Sequence, residues 1–265
     1  MRKKEKGLEE LMAGFRSDPE IVHLAQQSLR KPKLDRRKRY LQIAFNGTIS
    51  TAYRIISQLP LSDRIIIEAG TPLIKSYGMS AVSEIYSFVL QKQLHLMTQR
   101  QEIPSSNFPY VVADIKTADM AEREVTLAVE AGASGITCLG VAPIETIDAF
   151  IATCEKYNVD SMIDMMNVEN PILILKQLKE PPAAVIVHRG VDETEASKEK
   201  VIPYYQINQI KGNCDSLVAI AGGDTIQEIR SAVFNGANIV VLWKAFYRPG
   251  ETITSLVNEF LKEIR

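Results

Sequence analysis

Residues 110–121 read YVVADIKTADMA: a short apolar run, a polar break that opens at Asp114, and the first residues of a segment with helical spacing. A run this short, rich in Val and Ala and stopped by charge, is the signature of a parallel strand buried on both faces and feeding a helix. The unit recurs along the chain after Tyr40, and its apolar runs predict strands at Leu41–Phe45, Arg64–Glu68, Tyr110–Asp114, Gly135–Leu139, Ser161–Met165, Ala184–His188, Leu217–Ala221 and Asn238–Leu242. Eight strand–helix units predict a (β/α)8 TIM barrel, with an open doubly wound sheet as the alternative. The polar residues collect where strands end. Asn46, Glu68, Asp114, His188 and the pair Gly222-Gly223 all fall there, which in a barrel is the face where ligands bind.

The bulk numbers agree with one large globular domain: 265 residues, 46% hydrophobic and 24% charged. We read residues 1–40 as a basic helical N-terminal extension and 41–265 as the barrel. Residues 8–29 carry one or two short helices interrupted at Asp18-Pro19, followed by the basic run RKPKLDRRKR. Twelve of the 31 Lys/Arg but six of the 32 Asp/Glu lie in residues 1–40, so the barrel itself is acidic. An acidic body and a basic run without interleaved aromatics argue against nucleic acid as a partner. No apolar run approaches the ~18 residues of a membrane span, and the opening MRKKEKGLEELM lacks the apolar core of a signal peptide. Cys138, Cys154 and Cys214 show no Cys-x-x-Cys spacing, as expected of buried thiols in a reducing, cytoplasmic setting. Gln91–Phe108 lengthens one connection and is read as a loop or lid.

Asp114 and Lys116 stand two residues apart, so on an extended strand end both side chains point the same way, and Asp119 follows at the helix entry. A lysine among carboxylates stays protonated, the carboxylates stay ionised, and together they can polarise a substrate oxygen and hold a divalent metal. A salt-bridge cluster ending a strand is the bland alternative. His188 closes the sixth strand, where it either moves protons near neutral pH or simply bonds to backbone.

Taken in order, IEAGTPLIKSYGM (67–79), VVADIKTADM (111–120), AVEAGASGITCLG (128–140), SMIDMMNV (161–168), VHRGVDE (187–193) and VAIAGG (218–223) resemble the 3-hexulose-6-phosphate synthases of the orotidine monophosphate decarboxylase superfamily. The resemblance covers about residues 40–242. It implies a dimeric (β/α)8 barrel that joins formaldehyde to ribulose 5-phosphate in a magnesium-dependent aldol reaction. Glu68 and Asp114 would then hold Mg2+, with Lys116 beside the enediolate oxygen. Asp119 would reach the neighbouring subunit's site, and His188 would move a proton. Asn46, Glu68, Gly222, Gly223 and Lys244 would contact the substrate, a small sugar phosphate. Glu68 stands where orotidylate decarboxylases carry a lysine. Val191 stands where the ketogulonate phosphate decarboxylases carry an arginine, three residues past the histidine.

Two positions depart from the family pattern. The first strand ends in Asn46 where an aspartate is usual, which keeps a hydrogen-bonding carbonyl but loses charge and proton acceptance. After the eighth strand, Trp243-Lys244 replaces two glycines of the phosphate cradle. These departures leave a second reading, a diverged member that binds a ligand or regulates without the original reaction.

Overall fold

The computed structural model describes residues 33–100, 109–197, 201–247 and 252–265. Its strands are β1 (Tyr40–Phe45), β2 (Ile65–Ala69), β3 (Val111–Thr117), β4 (Gly135–Leu139), β5 (Asp160–Asp164), β6 (Ala184–His188), β7 (Leu217–Ala221) and β8 (Ile239–Leu242). They pair in sequence order and close into a barrel, so the open-sheet alternative falls. β1 and β8 close it in parallel, from Tyr40 opposite Ile239 to Ile43 opposite Leu242. Seven strands match the sequence reading to within one residue at each end, β5 among them although it starts and stops one residue early; β3 runs three residues further than expected, to Thr117.

The helices among the described residues are α1 (Ile49–Ile56), α2 (Thr71–Tyr77), α3 (Ser80–Arg100), α4 (Ala121–Glu130), α5 (Ile144–Lys156), α6 (Pro171–Leu175), α7 (Val191–Ala196), α8 (Tyr205–Asn213), α9 (Ile226–Phe234) and α10 (Ile253–Glu263). None of them is long and apolar enough to cross a membrane. Residues 91–100, expected in a loop, continue α3 instead, and 101–108 lie outside the described residues. So do the helices expected at 8–29.

Alternation along each strand builds two cores. One face packs under the helices through residues such as Ile43, Val111, Ile163 and Val185. The other fills the barrel with Ile66, Tyr110, Val112, Met162, Ile186 and Ile239. Side chains two apart share a face, so the inward set continues upward from Ile66 to Glu68, from Val112 to Asp114, from Met162 to Asp164 and from Ile186 to His188. The fold therefore delivers polar groups to one mouth without interrupting the apolar packing below.

The floor is closed by residues 33–39. Leu34 is buried there, and its N–H donates to the Asp160 carboxylate at 3.0 Å, which also accepts from Tyr110 Oη at 2.7 Å. The basic run finds acidic partners on the barrel: Lys33 pairs with Glu155, Arg36 with Asp215 and Lys38 with Asp63. Arg64 ties this end to the last helix, donating to Arg39 O at 3.0 Å, Leu261 O at 3.3 Å and Ile264 O at 2.8 Å.

Candidate active site

A cavity of about 540 Å³ opens at the C-terminal ends of the strands, lined by Asn46, Glu68, Asp114, Lys116, Asp164 and His188 among others. β3 reaches into it by breaking its own ladder. Ala113 pairs with Ile136 and Thr117 with Cys138, so β3 spends four steps where β4 spends two. Lys116 takes the left-handed conformation inside this bulge, φ +50°, a strain of about 1–3 kcal/mol that persists only where the surroundings fix it. The expectation of a simple extended strand end is thus corrected. Bulging, rather than the two-residue alternation, brings Lys116 Nζ to 3.2 Å from Asp114 Oδ1.

The carboxylate that organises the site is Asp164, which stands inside the SMIDMMNV string but was given no role from sequence. Lys116 Nζ donates to its Oδ2 at 2.7 Å, His188 Nδ1 lies 2.9 Å from the same oxygen, and Met166 N donates to Oδ1 at 3.0 Å. Burial alone would push this carboxyl up. The His188 hydrogen bond and charge, with Lys116, overcome burial and hold it at about 2. Lys116 is the converse: burial opposes its charge, yet Asp114 and Asp164 raise it well above an ordinary lysine. The result is a buried cation clamped between two anions.

Asp114 is itself fixed by hydroxyls that sequence reasoning also missed. Thr137 Oγ1 lies 2.8 Å from Oδ1 and Thr71 Oγ1 2.7 Å from Oδ2. Glu68 is buried beside it and accepts from Gln42 Nε2 at 2.6 Å. Burial first, and the Asp114 charge second, raise the Glu68 carboxyl to about 7. The other end of the Gln42 amide, Oε1, is buried without a hydrogen-bond partner. Among the described residues, no group of three or more His, Cys, Asp or Glu could hold a metal. A crowded carboxylate pair beside an orphaned carbonyl oxygen is nonetheless an all-oxygen donor set of the kind Mg2+ takes, one or two carboxylates completed by substrate and water.

The other expected residues divide. Asn46 lines the wall and packs across to the next loop, so closely that a Cβ on Gly70 would lie 1.9 Å from its Oδ1. Gly222 has φ +97°, and a Cβ there would lie 2.3 Å from Arg189 O, so glycine is required by close packing as well as by any ligand. Trp243 stands edge-on to Tyr247 in the wall and leaves the cavity open. Lys244 Nζ lies 3.5 Å from Glu195 Oε1 and 5.4 Å from the Trp243 ring centre. Asp119 is exposed and outside this cavity, along a groove formed with Met120, Arg123 and Leu127.

Fold and site together define a (β/α)8 barrel with a buried acid–base cluster at its C-terminal mouth. Residues 39–242 match the model of the orotidine 5'-phosphate decarboxylase / HUMPS family, and the chain belongs to that family. It is 37% identical over 210 residues to the bifunctional enzyme Fae/Hps of Methanocella arvoryzae, covering 78% of this chain and 48% of that protein. With the Methanothrix thermoacetophila protein of the same name, identity is 34% over 228 residues, 85% of this chain and 53% of the relative. The chain thus spans about half the length of the curated relatives it matches. Among solved structures, the fold is shared with 3-hexulose-6-phosphate synthase from Salmonella typhimurium, at TM-score 0.69 and 22% identity over 85% of this chain and 98% of the other.

Proposed function

We propose that the chain is a lyase of the 3-hexulose-6-phosphate synthase type, joining formaldehyde to ribulose 5-phosphate with Mg2+. The observation that carries this reading is the clamped Lys116, held by Asp114 and Asp164 while Asp164 also holds His188. The name Hps borne by relatives over most of this chain supports it. Glu68 and Asp114 would hold the metal, with Gln42 Oε1 as a further oxygen; bound there, Mg2+ supplies a Lewis acid for the substrate's oxygens.

The residues then divide the work. Lys116 stabilises negative charge on the substrate oxygen as the proton leaves C1 of the pentulose. Asp164, ionised throughout the neutral range, fixes the His188 tautomer with Nδ1–H toward itself and leaves Nε2 as the basic nitrogen. His188 takes the C1 proton, the carbanionic C1 bonds to the formaldehyde carbon, and the proton passes to the new alkoxide.

A homodimer is part of the same proposal. It is supported by exposed Met120, 59% accessible and in the left-handed conformation, beside Leu127 and Asp119. A cytoplasmic setting is supported by three free thiols, with Cys138 raised by burial to about 12. The ion pairs of Lys33, Arg36 and Lys38 support reading the basic run as a clamp on the barrel floor rather than a nucleic-acid arm.

The test is the aldol assay with formaldehyde and ribulose 5-phosphate, with and without Mg2+. We expect metal-dependent hexulose phosphate. No product under either condition, with the protein folded, removes the reading.

A further inference from the structure

In (β/α)8 barrels the loops after the seventh and eighth strands commonly receive a phosphate, because their backbone N–H groups are free and a helix N-terminus adds positive potential. Here those donors are already taken by the chain's own carboxylates. Asp224, between β7 and α9, lies in the cavity wall, and its Oδ1 accepts from Trp243 N at 2.9 Å and from Ala245 N at 3.2 Å. On the facing side, Glu228 Oε2 accepts from Asp224 N at 3.0 Å and Thr225 N at 3.1 Å, and Thr225 Oγ1 takes Glu228 N in a capping box.

The cations nearby are engaged as well. Arg189 donates to Gly222 O at 2.7 Å and lies 3.3 Å from Glu228 Oε1, while Lys244 faces Glu195. A dianion entering this end would meet occupied donors and three carboxylates, those of Asp224, Glu228 and Glu195, against two cations. Of the three, Asp224 alone sits on the N–H groups that follow β8.

We propose that Asp224 is a built-in occupant of the phosphate-receiving end of the cavity and a specificity-determining residue. A phosphorylated ligand binds only when the Asp224 carboxylate leaves Trp243 N and Ala245 N, so the residue lowers affinity for phosphate. The inference rests on the reading of the ligand as a sugar phosphate. Close packing of Gly222 against Arg189 fixes the backbone on one side of this residue, and the capping box anchors the other. Displacement therefore requires rotation of the Asp224 side chain and leaves α9 in place.

The test titrates inorganic phosphate into the full-length wild type, Asp224→Gly and Asp224→Asn by calorimetry, with folding of each checked by circular dichroism. Glycine empties the cradle; asparagine keeps an oxygen that can accept the same N–H groups but removes the charge. We expect phosphate to bind at least about tenfold tighter to Asp224→Gly than to wild type, the scale of one charge-assisted hydrogen bond. Asp224→Asn should fall between them. Equal or weaker binding in both variants, or no binding in any protein, overturns the proposal and leaves Asp224 as a brace between two loops. The Michaelis constant for ribulose 5-phosphate is measured in parallel. Tighter inorganic phosphate in the variants without any use of ribulose 5-phosphate upholds the role of Asp224 and removes the sugar phosphate reading alone.

Discussion

Asp160 and Asp164 stand at opposite ends of one five-residue strand, both inward-facing and both buried, yet their surroundings drive their carboxyls in opposite directions. At the floor, Asp160 receives neutral donors, Tyr110 Oη and Leu34 N, and burial pushes its carboxyl up to about 6. At the mouth, Asp164 receives Lys116 and His188 and is held at about 2. Burial is common to both, so the nature of the partners decides. Neutral donors can satisfy a buried carboxyl in either protonation state; the Lys116 ammonium commits Asp164 to the charged one. The floor thus holds a carboxyl among neutral donors, and the mouth holds an ionised one against a buried cation.

The largest expected contrast is in rate. Asp164→Asn should lower kcat in the aldol assay by about 10²–10⁴, because His188 loses its orienting anion and Lys116 one of its two carboxylates. Asp160→Asn should leave kcat within a few-fold. Equal losses in the two variants would erase the distinction between the ends of β5.

Stability against pH separates them next. Asp160, raised above its unfolded value of 3.8, stabilises the fold fully below that pH and loses this contribution as pH rises through about 6, up to about 3 kcal/mol. Asp164, lowered from 3.8 to about 2, contributes about 2 kcal/mol above its unfolded pKa, lost as pH falls toward 2. Urea unfolding of wild type and Asp160→Asn at pH 4 and pH 7 reads the first effect: wild type should lose ground to the variant at the higher pH. Parallel curves would show that Asp160 ionises freely.

A smaller effect tests whether the mouth alone handles ions. Glu68→Gln and Asp114→Asn should each weaken Mg2+ binding by at least about tenfold in calorimetry, whereas Asp160→Asn should not change it. The smallest expected change is at Asn46. Restoring a carboxylate with Asn46→Asp should raise the aldol rate by about tenfold, less than the roughly 10²–10⁴ of a full general acid or base because His188 already carries the proton; an unchanged steady-state rate would show that the asparagine costs nothing.

The barrel was legible because each strand is a local apolar run with its polar residue at one end, a pattern that needs no knowledge of distant contacts. Glu68, Asp114, Lys116 and His188 were legible for the same reason, as strand-end charges, and the structure brings all four to one cavity. Asp164 was within reach: counting inward positions up β5 from Met162 places it at the mouth. Asp224 was not, because its importance lies in N–H groups about twenty residues away, after a different strand. The bulge of β3 was hidden for a similar reason, since register is a property of two strands together. Asp119 stays apart from the cavity in the single chain, and its expected reach into a neighbouring site turns on a second copy.

The seam between β1 and β8 has a consequence for how the molecule comes to exist. Its partners, such as Tyr40 and Ile239, are about two hundred residues apart in sequence, as are Arg64 and Ile264 below it. Contacts of such long span carry a high loop-closure entropy and form slowly, after the local strand–helix units are in place. Gln42 and Asn46 on one side of the seam line the same cavity as Val241 and Trp243 on the other. The cavity is therefore complete only when this seam is closed, and a chain in which β1 and β8 are unpaired lacks one wall of it.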